Sequence, residues 1–249
     1  MLNTPVVIGG FGGSGTRVVA RIVKQAGYFM GTNLNESEDA MEFVEFYDRW
    51  VNRYLLRRQV PFYQEENDLM NADFRECVRR HRREIGVDDI DWGWKNPRSI
   101  HVLPFIHRQF PDLKFIQVVR DGRDMAFSTN DVQLRRHGAA LLEPALVNAP
   151  PPIKAASLWA KINMEAAAYA ETELAQQYLI LNFERLCRTP REAVKEIFDF
   201  LGADRGNLAA AAEEVVIPSS IGRWQCSGEE ILRDIYAYAG EALRKFGYS

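Results

Sequence analysis

Cysteine is scarce in this chain. Cys77, Cys187 and Cys226 are the only three, odd in number and far apart. That excludes a disulfide framework and leads us to expect a reducing compartment. Long apolar runs are missing as well, so no segment reaches the roughly 20 residues that a membrane-spanning helix needs. The N-terminus is short and uncharged and enters an apolar run at once, unlike a secretory leader. A cytoplasmic protein is the expectation. Charge of one sign is not in excess: the formal net charge is −3, so no overall basic field points to nucleic acid. The four histidines show no metal-ligand spacing, and no Ser-His-Asp or Cys-His relay is legible. Internal repeats and low-complexity tracts are absent. What remains is an ordinary globular composition, 47% hydrophobic and 26% charged over 249 residues. That length suits one large α/β domain with a real core, and we assign residues 1–249 to it.

Short, unalternating apolar runs at 6–8, 92–94, 115–119 and 178–181 fit buried parallel strands. Helical patterns lie between them. One begins at Ser14; others cover 39–59, 68–84, 100–110, 153–177, 190–201 and 229–246. Strands alternating with helices predict a three-layer α/β fold around a central parallel sheet. The stretch "HGAALLEPALVNAPPP" has no clear period and ends in three prolines, so it reads as a loop over one face. The basic run "RECVRRHRRE" reads as a solvated helix face, and the aromatics of "MEFVEFYDRW" as core or pocket wall.

The segment "TPVVIGGFGGSGTRVVARIVKQAGY" carries chemistry. An apolar strand meets five glycines within seven residues, and an amphipathic helix follows. Glycines let a backbone close on an anion, and the helix start offers N–H groups to it from Ser14, Gly15, Thr16 and Arg17. Gly10 and Gly15 have the spacing of an ATP-type phosphate loop, yet the Lys and Ser or Thr expected after the second glycine are replaced by Thr16 and Arg17. Gly10, Gly12 and Gly15 also fit a dinucleotide fingerprint, but no strand ending in an acid follows at the distance that reading requires. A second segment, "KFIQVVRDGRDMAFSTN", puts Arg120 at the end of a buried strand and Ser128 beyond a helical turn. A planar guanidinium and a hydroxyl suit an anion. By charge pattern alone, an Arg–Asp network among Arg120, Asp121, Arg123 and Asp124 is equally open.

Taken in order, "GGSGT", "WKNPRSIHVLPFIHRQFPDLKF", "VVRDGRDMAFS", "SLWAKINMEAA", "YLILNFERLCRTPREAVKEIFDFLG" and "IGRW" resemble the sulfotransferases that use 3′-phosphoadenosine 5′-phosphosulfate (PAPS). The likeness extends over most of the chain and is nearest to the tyrosylprotein, carbohydrate and bacterial branches. It implies a P-loop type α/β fold and a donor site in which Gly12, Gly13, Ser14, Gly15, Thr16 and Arg17 hold the 5′-phosphosulfate. It implies that Arg120, Ser128 and Arg223 hold the 3′-phosphate, with Ser219 or Ser220 helping. Phe183 would pack near the adenine, without the hydroxyl of the Tyr that the family often has there. The product would be adenosine 3′,5′-bisphosphate, and no metal is expected.

One departure stands out. The family commonly carries Lys or Arg just before "SGT"; here that residue is Gly13. Arg17 and Lys95 are the candidate cations to replace it. A base for the acceptor is expected among the acids after the first helix: spacing favours Glu36, with Asp39 next. These residues predict sulfuryl transfer by in-line displacement to a hydroxyl, or to an amine. The acceptor could be a small molecule, carbohydrate, lipid or peptide; its pocket is expected to draw on 33–59 and 131–152. Two rival readings are a P-loop kinase or NTPase without its lysine, and a nucleotide-binding relative that has lost catalysis. The sequence leaves the oligomeric state open.

Overall fold

The computed structural model describes residues 4–57, 62–85 and 90–248. Four parallel strands make the sheet: β1 (Val6–Gly10), β2 (Gly93–Lys95), β3 (Lys114–Val119) and β4 (Tyr178–Asn182). Their order is β2-β1-β3-β4, with Ile8 in register with Lys95 on one side and Ile116 on the other. The helices are α1 (Thr16–Gln25), α2 (Val44–Leu56), α3 (Gln64–His81), α4 (Leu103–Gln109), α5 (Gly122–Ala126), α6 (Val132–Leu141), α7 (Pro151–Glu173), α8 (Phe183–Arg188), α9 (Pro190–Leu201), α10 (Leu208–Glu213) and α11 (Glu229–Lys245). This is the expected three-layer fold of P-loop type.

Alternation along the strands sends side chains to opposite faces. Val6 and Ile8 pack with Val19, Val23, Ile197 and Phe198 under α1 and α9, whereas Val7 joins a second core with Trp94, Phe115 and Trp159 under α2, α3 and α7. Both faces are dry, which explains the unalternating apolar runs of the sequence. Phe43, Phe46, Tyr47 and Trp50 all belong to the second core. In the basic run, Arg75, Arg79, Arg80 and Arg83 are exposed, while Cys77, Val78 and His81 face inward.

Three expectations need correction. The first helix starts at Thr16 and not at Ser14, because Gly15 at its N-terminus adopts φ 92°, outside the helical region. The stretch 137–152 is not a loop throughout. Residues 137–141 complete α6, and Pro151 and Pro152 open α7, where a fixed φ and a missing N–H suit the first helical turn. Third, residues 39–43 precede α2, and a short 3₁₀ helix, Pro97–Val102, leads into α4. Gln59, the last residue expected in that second helix, lies outside the described residues.

All four strands end at one edge of the sheet. The chain crosses β1 between β2 and β3, so that edge has a topological switch point at β1, where open α/β sheets bind ligands. The glycine loop, Lys95, Arg120 and Phe183 all lie there, each at or just beyond a strand end.

Candidate active site

The glycine loop turns out of β1 with Gly13 and Gly15 both at φ 92°. A Cβ on Gly15 would lie 2.2 Å from the Phe183 ring, so the loop rests directly on that side chain. Ser14 N–H is committed to the Phe11 carbonyl at 3.0 Å, which removes it from the expected anion donors. Its hydroxyl is fully enclosed and has no hydrogen-bond partner. Gly15, Thr16 and Arg17 remain at the start of α1, where N–H groups have no intrahelical acceptor and the dipole favours negative charge.

Beside the loop a second cationic corner assembles from distant parts of the chain. Arg120, 5% exposed, donates to the Ser220 hydroxyl at 2.8 Å and to the Gly13 carbonyl at 3.4 Å, and its Nε is enclosed without a partner. Ser128 Oγ would lie 3.8 Å from a Cβ on Gly13. Arg223 donates to the Ser220 and Phe127 carbonyls. Burial, then repulsion from Arg120, lowers the pKa of Arg223. The Arg120 guanidinium stands 5.2 Å from the centroid of Phe183. Thus Gly13, Arg120, Ser128, Phe183, Ser220 and Arg223 share one corner.

Asp124 holds this corner together, and sequence reasoning saw it only as one charge of a possible network. It is 1% exposed. Its carboxylate accepts from Gly222 N–H at 2.8 Å and Trp224 N–H at 3.3 Å, and lies 3.8 Å from Arg120. The neighbouring Arg123 pairs with Asp121, donates to the Tyr236 hydroxyl and lies 4.0 Å from the Trp224 ring centroid. The Arg–Asp network of "RDGRD" is therefore present: Arg123 and the two aspartates form a scaffold, while Arg120 faces the loop.

The other side of the loop carries Lys95, 2% exposed at the end of β2. Its ammonium donates to Asp39 Oδ1 at 2.6 Å and to the Ser37 carbonyl at 2.5 Å. Asn35 fixes the acid: its Oδ1 accepts from Ser37 and Asp39 N–H, both at 2.9 Å, and its Nδ2 donates to Asp39 Oδ2 at 3.1 Å. Burial lowers the Lys95 pKa and the charge of Arg17 lowers it further, against the pull of Asp39 and Glu38. Glu38, at φ 65°, is bound by Lys24 and Arg21. Burial alone would raise its carboxyl, but those two cations bring it below the usual range. The fold thus groups Lys95, Asp39 and Arg17. Glu36 is exposed and makes no hydrogen bond or ion pair among the described residues. Among the described residues no cluster of three or more His, Cys, Asp or Glu is placed to hold a metal.

A glycine cradle at the switch point of a parallel sheet, flanked by two cationic corners and lacking the phosphate-loop lysine, has the layout of a P-loop type site. The family model of the sulfotransferase family matches residues 5–205, and the chain belongs to that family. No curated protein matches the sequence. Among solved structures, the sulfotransferase domain of the Synechococcus olefin synthase superposes with a TM-score of 0.59 at 18% identity, covering 100% of this chain and 96% of that one. A sulfotransferase from Alicyclobacillus acidocaldarius gives 0.57 at 14% identity, with 99% and 95% covered. Retinol dehydratase in complex with retinol and PAP gives 0.51 at 14%, with 100% and 84% covered. At these identities the likeness speaks for the fold. The family assignment makes the chain an enzyme that transfers a sulfuryl group.

Proposed function

We propose that the sulfuryl donor is PAPS, that the acceptor is a hydroxyl, and that residues 1–249 act as one sulfotransferase domain. The observation that carries the donor assignment is the corner of Arg120, Ser128, Ser220 and Arg223 beside the glycine loop. A nucleotide with only a 5′-phosphate chain has no use for it; a 3′-phosphate does. The orphaned Ser14 hydroxyl and Arg120 Nε are the groups an anionic ligand would satisfy. A solved neighbour in this fold, retinol dehydratase, was crystallised with PAP.

In this reading Gly12 to Arg17 hold the 5′ end and Phe183 backs the loop. Transfer forms the bond from the acceptor oxygen to sulfur and breaks the bond from sulfur to the phosphate oxygen. Lys95 stabilises the charge that develops on that leaving oxygen, as a fixed donor in a water-poor site does. Asp39 takes the acceptor proton. Its contact with Lys95 supports it over Glu36, which spacing had favoured. Calorimetry decides the donor question. Adenosine 3′,5′-bisphosphate should bind tightly without Mg²⁺ and AMP weakly, and Arg120→Ala should erase most of the difference, about 1.5–3 kcal/mol. Equal affinity for the two nucleotides in the wild type overturns the assignment.

A further inference from the structure

Three enclosed polar atoms without partners lie in a row that leads away from the glycine loop: Gln133 Oε1, His137 Nε2 and His101 Nε2. Gln133 and His137 are one turn apart on the same face of α6. Gln133 Nε2 donates to the Gly10 carbonyl at 3.3 Å, which leaves its oxygen as an acceptor. Asn52 Nδ2 donates to the Arg136 carbonyl, so Asn52 Oδ1 must accept from His137 Nδ1–H at 2.7 Å. His137 Nε2 is then a lone pair. The His137 and His101 rings touch, with centroids 4.8 Å apart. The His101 side chain makes no hydrogen bond among the described residues and lines a cavity of about 400 Å³, within the usual size of a small-molecule pocket. Leu103, Leu141, Ile162 and Ala166 give that cavity carbon walls, and its charged residues balance, Arg57 and Lys161 against Glu143 and Glu165. Ile100, at its floor, packs its N–H against Gly9, next to the glycine loop.

Buried lone pairs ask for donated hydrogens, and leaving them unmet is costly. A carboxylate would set lone pair against lone pair. An ammonium would meet the positive field of Arg98 and Arg136 beside imidazoles that are already kept neutral: burial, then Arg98 and Arg136, hold His137 down to about 4, and burial, then His137 and Arg98, push His101 well below its usual value. Asp48 offsets that field only in part, because both arginines share it. We propose that the row and the cavity beyond it bind the acceptor, an uncharged molecule that donates hydroxyl hydrogens to Gln133 and His137, shares a hydrogen bond with His101 Nε2 in either direction, as a hydroxyl can, and lays its carbon body in the cavity. This rests on the sulfotransferase reading and narrows the acceptor class within it.

The test uses three fluorescent probes of one shape, pyrenebutanol, pyrenebutyrate and pyrenebutylamine, titrated into the whole protein. Pyrenebutanol should bind at least about tenfold more tightly than either charged probe. His101→Phe and His137→Phe, which replace the imidazole by a ring without nitrogen, should each weaken it about tenfold, as for one hydrogen bond. Ala166→Phe, which fills the cavity from α7, should do the same. Affinity for adenosine 3′,5′-bisphosphate, measured on the same samples, should stay as in the wild type. No pyrenebutanol binding in the wild type means that water alone fills the row, and the proposal fails. It also fails if the three probes bind alike, or if folded variants bind the alcohol as the wild type does. A variant that has lost bisphosphate binding is misfolded, and the probe comparison on the wild type then decides. Loss of bisphosphate binding in the wild type itself would instead sink the donor assignment.

Discussion

At the scale of single residues, the missing lysine of the glycine loop has a geometric explanation. Gly13 sits at φ 92°, a conformation that costs a side chain about 1–2 kcal/mol, and a Cβ there would stand 3.1 Å from Met125 Cε. In the proposed mechanism Lys95, at the end of the neighbouring strand, supplies the cation instead. Lys95→Ala should lower kcat by about 10²–10³-fold, the usual loss for one donor to a developing oxyanion. Arg17→Ala should mainly raise the KM for the donor, because its helix start binds ground and transition states alike. Steady-state kinetics with donor varied separates the two, and a normal kcat in Lys95→Ala would remove that residue from the mechanism. Gly13→Lys should not restore activity to it and should lower Tm by about 2–8 °C in thermal denaturation. Burial also makes Lys95 more acidic than a free lysine, whose value is 10.5. The ammonium is the active form, so kcat should fall on the alkaline side below pH 10.5. That limb should move up in Lys95→Arg; an unmoved limb would assign it to another group.

At the scale of elements, legibility followed burial. The four strands were readable because both sheet faces are dry, which leaves apolar runs such as Val6 to Ile8. The short helices α8 and α10, six residues each, were not, since they are too brief to show a period. α6 was hidden because "HGAALLEP" is apolar on several sides and abuts the prolines that open α7. Of the proposed site residues, the run from Gly12 to Arg17 and Arg120 stood out because they come after the ends of β1 and β3, and Lys95 because it ends β2. The choice between Asp39 and Glu36 could not, because it depends on how Asn35 folds residues 35–39 back toward β2. Nor could the part played by Asp124, whose partners Gly222 and Trp224 are about a hundred residues away. Asp124→Ala should leave two buried N–H groups and Arg120 unmatched, and should weaken adenosine 3′,5′-bisphosphate binding about 10–100-fold by calorimetry. Asp124→Asn, which keeps an acceptor, should recover part of that loss. If both bind as the wild type does, Asp124 has no part in positioning the corner.

At the scale of the whole molecule, the proposed donor site joins the glycine loop and residues 220–223 at one edge of the sheet. The ligand contacts only the folded arrangement, so adenosine 3′,5′-bisphosphate at about 100 times its Kd should stabilise the protein by about 2.7 kcal/mol. For a chain of this size that is a rise in Tm of about 5–11 °C, absent with AMP at the same concentration. Equal shifts would mean that the corner around Arg120 reads no 3′-phosphate. The same arrangement bears on how the enzyme comes into being. Arg120 meets Ser220, and Asp124 meets Gly222 and Trp224, across sequence separations of about a hundred residues. Contacts that close such long loops carry an entropic cost that local helices do not. On the ribosome, the glycine loop and all four strands are made well before residues 220–224 appear. The chain can therefore hold a finished sheet while the corner that we propose for the 3′-phosphate still lacks Ser220 and Arg223.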